Sequence, residues 1–363
     1  MSSASTAELP RTPNTAMPDQ QRLCIRPAAE TDAEAWDRYV TAHADGTFFH
    51  RYGWKRLLES TYRYPGHYLL AEDDAGIRGV LPLGEVRHLL FGHSLISVPF
   101  CVYGGVLADD VAVRTMLEDE AMALASRLNV DHLELRNERP VRDDWLRKDA
   151  LYVTFKRELS EDHEANMSAI PRKQRAMVRK GIKAGLVGEQ DDGIDNLYEA
   201  YSESVRNLGT PVFPKGHFKA IRDEFADDVD VITIRHEGQV VASVMSYYFR
   251  DQVLPFYGGG IAAARGLAAN DFMYWEVMRR AVERGCRVFD FGRSKVDTGS
   301  YKFKKHWGFE PQPLSYEYFL VKATEMPDLN PNNPKYSLFI NAWKKLPVSV
   351  SRVVGPWLAR GLA

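Results

Sequence analysis

Residues 289–318 read Phe-Asp-Phe-Gly-Arg-Ser-Lys-Val-Asp-Thr-Gly-Ser-Tyr-Lys-Phe-Lys-Lys-His-Trp-Gly-Phe-Glu-Pro-Gln-Pro-Leu-Ser-Tyr-Glu-Tyr. A short apolar strand with one acid, Asp290, runs into a predicted Gly/Ser/Thr loop, and a basic aromatic segment, residues 301–307, follows. Lysine is almost never fully buried without a partner, so lysines interleaved with aromatic rings indicate a site for an anionic or oxyanion-forming ligand. The alternative is an edge segment whose lysine stems cover Phe303 and Trp307 while the ammonium groups stay in water.

Length and composition predict a two-domain globular protein, and the net charge gives no overall reason to expect a polyanionic partner. The chain has 363 residues, is 45% hydrophobic and carries a net charge of −2. This charge gives no reason to expect DNA as a partner. Cys24, Cys101 and Cys286 are far apart and lack the spacing of metal ligands, so no metal site is expected. We expect reduced, buried thiols in a cytoplasmic protein.

The first residues and the apolar runs bear on targeting. Residues 1–20 are rich in Ser, Thr, Ala and Pro, without a basic start followed by an apolar core. This composition predicts a disordered tail rather than a signal peptide. Apolar runs stay short of the ~18 residues that a spanning helix needs.

The order of predicted elements repeats itself along the chain. In each half, a strand, a glycine turn and a second strand precede a helix and then a strand that carries one acid. The predicted helices span residues 114–128, stopped by Asn129, and residues 270–284, stopped by Gly285. Gly76 lies 58 residues before Glu134, and Gly238 lies 52 residues before Asp290. This order indicates a duplicated α/β unit, although strand–turn–strand–helix–strand is common enough to arise by chance.

A basic helix is predicted between the two units, in residues 166–188. Ser168 is expected to cap it and Gly185 to end it. The segment between carries six cations and no acid, and three of the cations share one face by their spacing: Arg172, Arg175 and Arg179. Either these arginines bind phosphate or carboxylate groups, or the helix is a solvated linker.

Two further regions supply candidate ligand contacts. Trp54, Lys55 and Arg56 begin a helical pattern, in which core packing explains Trp54 and leaves the two cations free to face a cleft. Tyr103 and Tyr257 each precede glycines at a strand end, where a ligand can approach the backbone closely.

The sequence resembles a known family. The run Phe-Asp-Phe-Gly-Arg-Ser through Lys-Phe-Lys-Lys-His-Trp-Gly-Phe-Glu-Pro is similar to the FemAB-related proteins associated with exosortase (PEP-CTERM) and exopolysaccharide gene clusters. Ile-Pro-Arg-Lys-Gln-Arg in the middle and Tyr-Gly-Gly-Val-Leu in the first half fit the same family. The resemblance covers about residues 22–320. It implies an α/β fold of two tandem GNAT-like domains, each a mixed central sheet flanked by helices.

The resemblance implies domain boundaries as well. The N-terminal domain would span residues 21–165 and the C-terminal domain, with the acyl-transfer motif, residues 189–322. The basic helix at 166–188 would connect them, and an amphipathic extension would occupy residues 323–363.

The resemblance also implies roles for individual residues. In the Fem enzymes a Phe-Lys pair lies at the acyl-transfer centre, where the lysine steadies the oxyanion. That pair corresponds to Phe303 and Lys304. Acyl transfer also needs a route for the amine proton, and from this chemistry we expect Tyr301 or Lys302 to support Lys304. Asp290, at a strand end, would take or orient the proton or serve as a structural acid.

Other positions correspond to substrate contacts in the family. A basic residue after the first-domain tryptophan, Trp54, binds precursor phosphate there, which points to Lys55 or Arg56. The basic middle segment implicates Arg172 and Arg175. Arg293, within the motif itself, is a further candidate for substrate binding.

The acyl donor stays open between two classes. The helical arm of tRNA-using Fem enzymes has no counterpart, because residues 157–195 are too few for a coiled-coil hairpin. The glycine-rich pyrophosphate loop of simple GNAT acetyltransferases is degraded at residues 265–270. We therefore expect no permanently bound cofactor, and acyl-CoA, an acyl carrier or aminoacyl-tRNA as the donor substrate.

The predicted function is amide-forming acyl transfer to an anionic cell-envelope or exopolysaccharide precursor. The alternative is a catalytically inactive GNAT-like module that binds such a precursor or a partner protein. Residues 336–363 alternate apolar residues with cations, which suits peripheral contact with the inner face of an anionic membrane. The other interpretation of this extension is a helix pair folded back onto the domain.

Overall fold

The computed structural model describes residues 23–149, 151–327 and 334–362. The predicted disordered tail at 1–20 lies outside these residues. The helices are α1 (Ala33–Ala42), α2 (Gly53–Leu57), α3 (Val111–Leu128), α4 (His163–Ala169), α5 (Arg172–Lys183), α6 (Asp195–Leu208), α7 (Lys215–Phe225), α8 (Ala264–Leu267), α9 (Ala269–Glu283), α10 (Gly299–His306), α11 (Pro334–Trp343) and α12 (Val348–Ala359).

The strands alternate with these helices. In the first half they are β1 (Cys24–Pro27), β2 (Leu69–Asp73), β3 (Gly76–Leu81), β4 (Leu83–His88), β5 (Gly92–Ser97), β6 (Leu107–Ala108), β7 (His132–Asn137), β8 (Leu146–Lys148), β9 (Tyr152–Thr154) and β10 (Lys156–Glu158). In the second half they are β11 (Val187–Gln190), β12 (Val229–His236), β13 (Gln239–Phe249), β14 (Gln252–Gly260), β15 (Val288–Asp290), β16 (Ser294–Lys295), β17 (Gln312–Pro313) and β18 (Ser315–Leu320).

Local sequence explains where the two long helices begin and end. Asp110 caps α3 by accepting a hydrogen bond from the Val113 amide, and Asn129 ends the helix in the left-handed conformation, with φ 51°. Gly285, with φ 88°, follows the end of α9 in the same way. The helices predicted from the repeat, at residues 114–128 and 270–284, are confirmed to within about three residues.

The two halves contain mixed sheets of similar order. One has the order β4-β5-β7-β18-β8 and the other β10-β15-β14-β13-β12-β11. Each contains one parallel pair, β5 with β7 and β14 with β15, and its other neighbours are antiparallel. The predicted α/β fold with a mixed sheet in each half is confirmed. Two smaller antiparallel sheets, β1-β2-β3-β6 and β16-β9-β17, accompany these sheets.

Strands cross between the halves. The strand β10, from before the middle helices, pairs with β15 in the second sheet, with Lys156 opposite Asp290. The strand β18, near the end of the second half, pairs with β7 in the first sheet, with Tyr318 opposite Glu134. The predicted boundaries at 21–165 and 189–322 therefore separate the two halves along the sequence. In the structure, the sheet of each half also contains one strand from the other half.

The segment between the halves forms two helices, α4 and α5. Ser168 lies inside α4, so its predicted role as the cap of the basic helix is wrong. Pro171 separates the helices because it forces an extended conformation on the preceding residue, Ile170, whose ψ is 129°. Gly181 of α5 lies against Phe272 of α9, which holds the basic helix on the second half.

The C-terminal extension folds back onto the body of the protein. The Trp343 indole donates a hydrogen bond to the Thr210 carbonyl at 3.1 Å. The Tyr64 hydroxyl donates to the Arg360 carbonyl at 2.7 Å, which joins α12 to the first half. Along the described segments, every helix is too short or too polar to cross a bilayer.

The three cysteines do not share one environment. Cys101 and Cys286 are buried, as expected, but Cys24 is exposed. The prediction is wrong for Cys24 because it is the first residue of β1, an edge strand that is covered by a neighbouring strand on one side only.

Candidate active site

The basic aromatic segment of the motif forms a helix, α10. Thr298 caps it by accepting a hydrogen bond from the Tyr301 amide at 3.4 Å. The helical repeat turns Lys304 inward, whereas Lys302 and Lys305 are exposed. The interpretation as an edge segment with all ammonium groups in water is therefore wrong for Lys304.

Lys304 is nearly buried and has few partners. Its ammonium group donates to the Gly292 carbonyl at 2.8 Å and to the Arg293 carbonyl at 3.1 Å. Burial lowers the pKa of Lys304 to about 7, while Asp290 opposes that shift and Arg293 adds to it. In its charged form, which prevails below about pH 7, the lysine has three N–H protons, so two carbonyl partners leave one donor for a ligand.

Asp290 is fully buried beside this lysine, and its two oxygens accept hydrogen bonds from four groups. These donors are the Tyr103 hydroxyl at 2.9 Å, the Thr154 hydroxyl at 3.2 Å, the Gln252 amide at 2.8 Å and the Gly292 amide at 2.6 Å. The Tyr103 and Thr154 hydroxyls also contact each other, so Thr154 shares its one proton between Tyr103 and Asp290. The Lys156 ammonium lies 3.9 Å away. We call these residues together with Lys304 the junction cluster, because they come from both halves of the chain.

The loop that carries Tyr103 is held in an uncommon conformation. Val98 and Phe100 have φ angles of 50° and 69°, which branched and bulky residues rarely adopt. The Arg136 guanidinium stabilises the loop by donating to the Cys101 carbonyl at 2.5 Å. Burial keeps the pKa of Tyr103 well above its usual value, so the hydroxyl retains its proton and donates to Asp290.

Arg293 lies at the edge of the junction cluster between two tyrosine rings. Its guanidinium is 4.6 Å from the centre of the Tyr152 ring and donates to the Tyr316 hydroxyl at 2.9 Å. Among the residues that the structure describes, no carboxylate forms an ion pair with it. A partly exposed guanidinium held by rings is suited to an anionic group of a substrate.

Sequence reasoning missed several members of the junction cluster. Thr154 and Lys156 alternate with Val153 and Phe155, which pack in the core of the second half. This alternation, typical of a strand with one polar face, was the available signal. Gln252 had no such signal, because a lone amide after a turn is common on protein surfaces.

The predicted first-half contacts lie away from the junction cluster. Trp54 is fully buried, and its indole donates to the Phe48 carbonyl at 3.1 Å within the aromatic core. The Lys55 ammonium pairs with Glu59 at 3.2 Å, and the Arg56 guanidinium pairs with Glu30 and Glu224. These ion pairs neutralise the two cations that were expected to bind phosphate.

Three other candidate residues pack against aromatic or histidine side chains. Tyr257 is buried, and its hydroxyl lies 3.0 Å from Nε2 of His217. Phe303 packs between aromatic rings of the second half, among them Tyr274 at 5.6 Å. The Tyr301 ring lies 5.6 Å from the Phe155 ring.

The basic helix α5 begins close to the end of α10. Pro171 lies against Gly308, and a Cβ atom on that glycine would be 3.0 Å from the proline ring. Arg172 is exposed, and the Arg175 guanidinium donates to the Ser168 carbonyl at 3.1 Å. Within the described part of the chain, neither arginine has an acidic partner.

Glu134 occupies the position in the first sheet that Asp290 occupies in the second. It forms a buried ion pair with Arg136 at 2.8 Å, and nearby cations hold the pKa of its carboxyl below the usual value despite burial. The two equivalent acids therefore have different partners. Of these two acids, Asp290 accepts hydrogen bonds from a tyrosine and a threonine and has a lysine nearby, whereas Glu134 pairs with an arginine.

Comparisons with known proteins agree with this architecture. Residues 167–305 match the family model described as an acetyltransferase (GNAT) domain. The crystal structure of FemX superposes with a TM-score of 0.66 at 14% identity, over 87% of this chain and 99% of that one. A tandem GNAT protein from the clavulanic acid biosynthesis pathway gives 0.55 at 12% identity, over 84% and 100%.

A third solved structure is the C-terminal domain of a protein assigned as a lysylphosphatidylglycerol synthetase from Agrobacterium fabrum. It has a TM-score of 0.56 at 13% identity, over 79% of this chain and 91% of that one. No curated protein sequence matches the chain. The fold of this protein is that of tandem GNAT-like proteins, and the stretch 167–305 carries the acetyltransferase-type signature.

Proposed function

We propose that this protein is an acyltransferase that forms an amide on an anionic cell-envelope or exopolysaccharide precursor. The GNAT-type match at residues 167–305 and the tandem fold support acyl transfer as the reaction class. The observation that carries the proposal is the nearly buried Lys304, whose charged form has one proton not donated to a carbonyl. It lies beside Arg293, which has no carboxylate partner among the described residues. The resemblance to exosortase-associated FemAB-related proteins supports the choice of acceptor.

Acyl transfer requires a hydrogen-bond donor that stabilises the oxyanion of the tetrahedral intermediate. An acceptor amine attacks the carbonyl of an ester or thioester donor, a C–N bond forms, and the C–O or C–S bond then breaks. The amine proton leaves with the departing alcohol or thiol, or passes to water. The remaining donor of Lys304 would bind the tetrahedral oxyanion, an interaction worth about 3 kcal/mol in comparable sites.

Asp290 is better suited to positioning than to taking a proton. Four donors already occupy its oxygens, and a general base needs a free lone pair aimed at the substrate. We assign Asp290 the task of fixing Tyr103 and the Gly292 turn, whose carbonyl holds Lys304. Arg293, assisted by Arg172 and Arg175 of the neighbouring helix, would contact the anionic part of the acceptor.

The donor class and the compartment are parts of the same proposal. Acyl-CoA, an acyl carrier or aminoacyl-tRNA would serve as a transient donor substrate. Cys101 and Cys286 are buried free thiols, which fits a reducing compartment, and we therefore place the reaction at the cytoplasmic side of the membrane.

A variant pair within α10 tests the proposal. The full-length protein is incubated with acetyl-CoA, longer acyl-CoA or aminoacyl-tRNA and with nucleotide-linked amino sugars, and products are identified by mass spectrometry. Lys304→Met should reduce turnover about 100-fold or more. Lys305→Met, which removes an exposed lysine without an assigned role from the same helix, should keep the rate of the parent.

Two outcomes would overturn this assignment. Equal rates for the parent and a folded Lys304→Met variant would remove Lys304 from the mechanism. Binding of the precursor without turnover for any donor would instead favour the inactive, precursor-binding module.

A further inference from the structure

The outward face of α12 is apolar. Val350, Val353, Val354 and Trp357 follow i, i+3, i+4, i+7 spacing, and Val353 is 78% exposed. The face that packs on the protein carries Ser351, Gly355 and Leu358. The helix therefore buries a face of mostly small residues and presents its larger apolar side chains to solvent.

The turn between β4 and β5 extends this apolar surface. Leu89 is 94% exposed and Leu90 is 62% exposed at its tip. The His88 ring lies 5.0 Å from the Trp357 ring, and its Nε2 atom lies 3.2 Å from the Trp357 carbonyl oxygen. Leu89 and Trp357 also line one pocket, so the hairpin tip and α12 form a continuous surface, which we call the apolar end.

Cations surround the pocket at the apolar end. The pocket has a volume of about 490 Å³, and its lining includes Arg63, Arg87 and Arg360. In the described ranges, Arg63 and Arg360 form no ion pair, and Arg87 comes only within 4.0 Å of Glu85. Glu85, the acid in the lining, is already bound by two histidines at 3.0 Å and 2.8 Å.

We propose that the apolar end docks on an anionic phospholipid bilayer. Leu89, Leu90, Val353 and Trp357 would enter the interface, and the arginines of the pocket would contact lipid phosphates. Large exposed apolar patches are rare on monomeric soluble proteins, and a tryptophan beside cations is typical of interfacial segments.

Charge favours a bilayer over a second copy of the chain. A twofold contact would place the same surface against itself, so the unpaired arginines of both copies would come together and repel. An anionic bilayer offers hydrocarbon to the leucines and phosphate groups to the arginines. This inference does not depend on the acyltransferase activity.

Vesicle flotation tests the proposal with the full-length chain. Vesicles of phosphatidylcholine alone are compared with vesicles that contain about 30% of the anionic lipid phosphatidylglycerol. Both are tested at low and at high salt. The parent should float with the anionic vesicles at low salt. The double variant Leu89→Ser/Leu90→Ser and the variant Val353→Ser should each lower the bound fraction at least fivefold.

Matched variants distinguish vesicle binding through the apolar end from nonspecific hydrophobic binding by other surfaces. Val187→Ser removes an exposed apolar side chain from β11, outside the apolar end, and should bind like the parent. Arg63→Gln/Arg87→Gln should weaken binding to anionic vesicles only. Melting temperatures equal to the parent's would show that the exposed substitutions leave the fold intact.

Several results would overturn the proposal. These are a parent that stays unbound at low salt, leucine variants that float like the parent, and an equal loss for Val187→Ser. A concentration-dependent dimer that Leu89→Ser/Leu90→Ser dissociates would make the apolar end a self-interface. Acyl transfer between soluble substrates should persist in the leucine variants, so failure of docking and failure of the proposed reaction are distinguishable.

Discussion

Lys304 is the residue whose protonation should show in a stability measurement. Burial lowers its pKa from 10.5 to about 7, so the folded protein disfavours the charged lysine. Below pH 7 the full cost of this charge applies, at most about 5 kcal/mol. Between pH 7 and 10.5 the unfolded state still binds the proton and the folded state does not, so stability rises with pH.

This linkage predicts a difference between the parent and Lys304→Met. From pH 6.5 to pH 9, the free energy of unfolding of the parent should increase relative to the variant by about 2–3 kcal/mol. Urea unfolding of both proteins at the two pH values measures it. A constant difference between the two proteins would mean that the lysine keeps an ordinary pKa.

Asp290 should tolerate loss of its charge poorly. In Asp290→Asn one oxygen becomes an NH₂ group, and either orientation turns that group toward two donors. The clash of donors should cost about 2–3 kcal/mol in urea unfolding. The control is Glu138→Gln, which makes the same chemical change at a partly exposed partner of Lys156 and should cost less than about 1 kcal/mol.

At the level of single elements, the position of Lys304 depends on the start of α10. Thr298→Ala removes the cap and should lower stability by about 1 kcal/mol. It should also reduce kcat more than it changes KM, because the lysine shifts relative to the carbonyls of Gly292 and Arg293 that hold it. Calorimetry and steady-state rates measure both effects.

Thr298→Ser is the matched variant for this cap. A serine hydroxyl can accept the same hydrogen bond from the Tyr301 amide, so stability and kcat should stay near those of the parent. A serine variant as impaired as the alanine variant would show that the threonine acts through its methyl group instead.

Local signals in the sequence were sufficient for most elements. Asn129 and Gly285 end α3 and α9 where predicted, because each favours the left-handed conformation. The repeat predicted the equivalent acids Glu134 and Asp290 and the second-half sheet, in which β12, β13 and β15 lie together. In the first half the β2–β3 hairpin belongs to a separate sheet from β7. The burial of Lys304 on the inner face of α10 was not predicted. The motif indicated a basic aromatic segment, but no helical period was assigned to it.

Other features depend on contacts between distant residues, which periodicity cannot reveal. The exchange of β10 and β18 joins residues more than a hundred positions apart, such as Lys156 with Asp290. The ion pair of Arg56 with Glu224 likewise joins the two halves. For this reason Arg56 was predicted to be a free cation. The contact of Gln252 with Asp290 in the junction cluster was likewise not predictable from local sequence.

At the scale of the whole molecule, the exchanged strands and a shared core connect the two halves. The Phe48 ring stacks on the Tyr247 ring at 4.5 Å, and the Phe100 ring lies 5.3 Å from the Phe213 ring. Because the junction cluster also draws Tyr103 and Asp290 from different halves, its geometry requires both sheets to be folded.

This connection predicts that the two halves unfold together. Leu133 and Phe289 are fully buried in the first and second sheets. Leu133→Ala and Phe289→Ala should each cost about 3–5 kcal/mol and lower the temperature of one and the same calorimetric transition. Two resolved transitions, with each substitution lowering only one, would contradict the prediction. Coupled unfolding is expected because loss of β18 would open the first sheet between β7 and β8, while loss of β10 would expose β15 and with it Asp290.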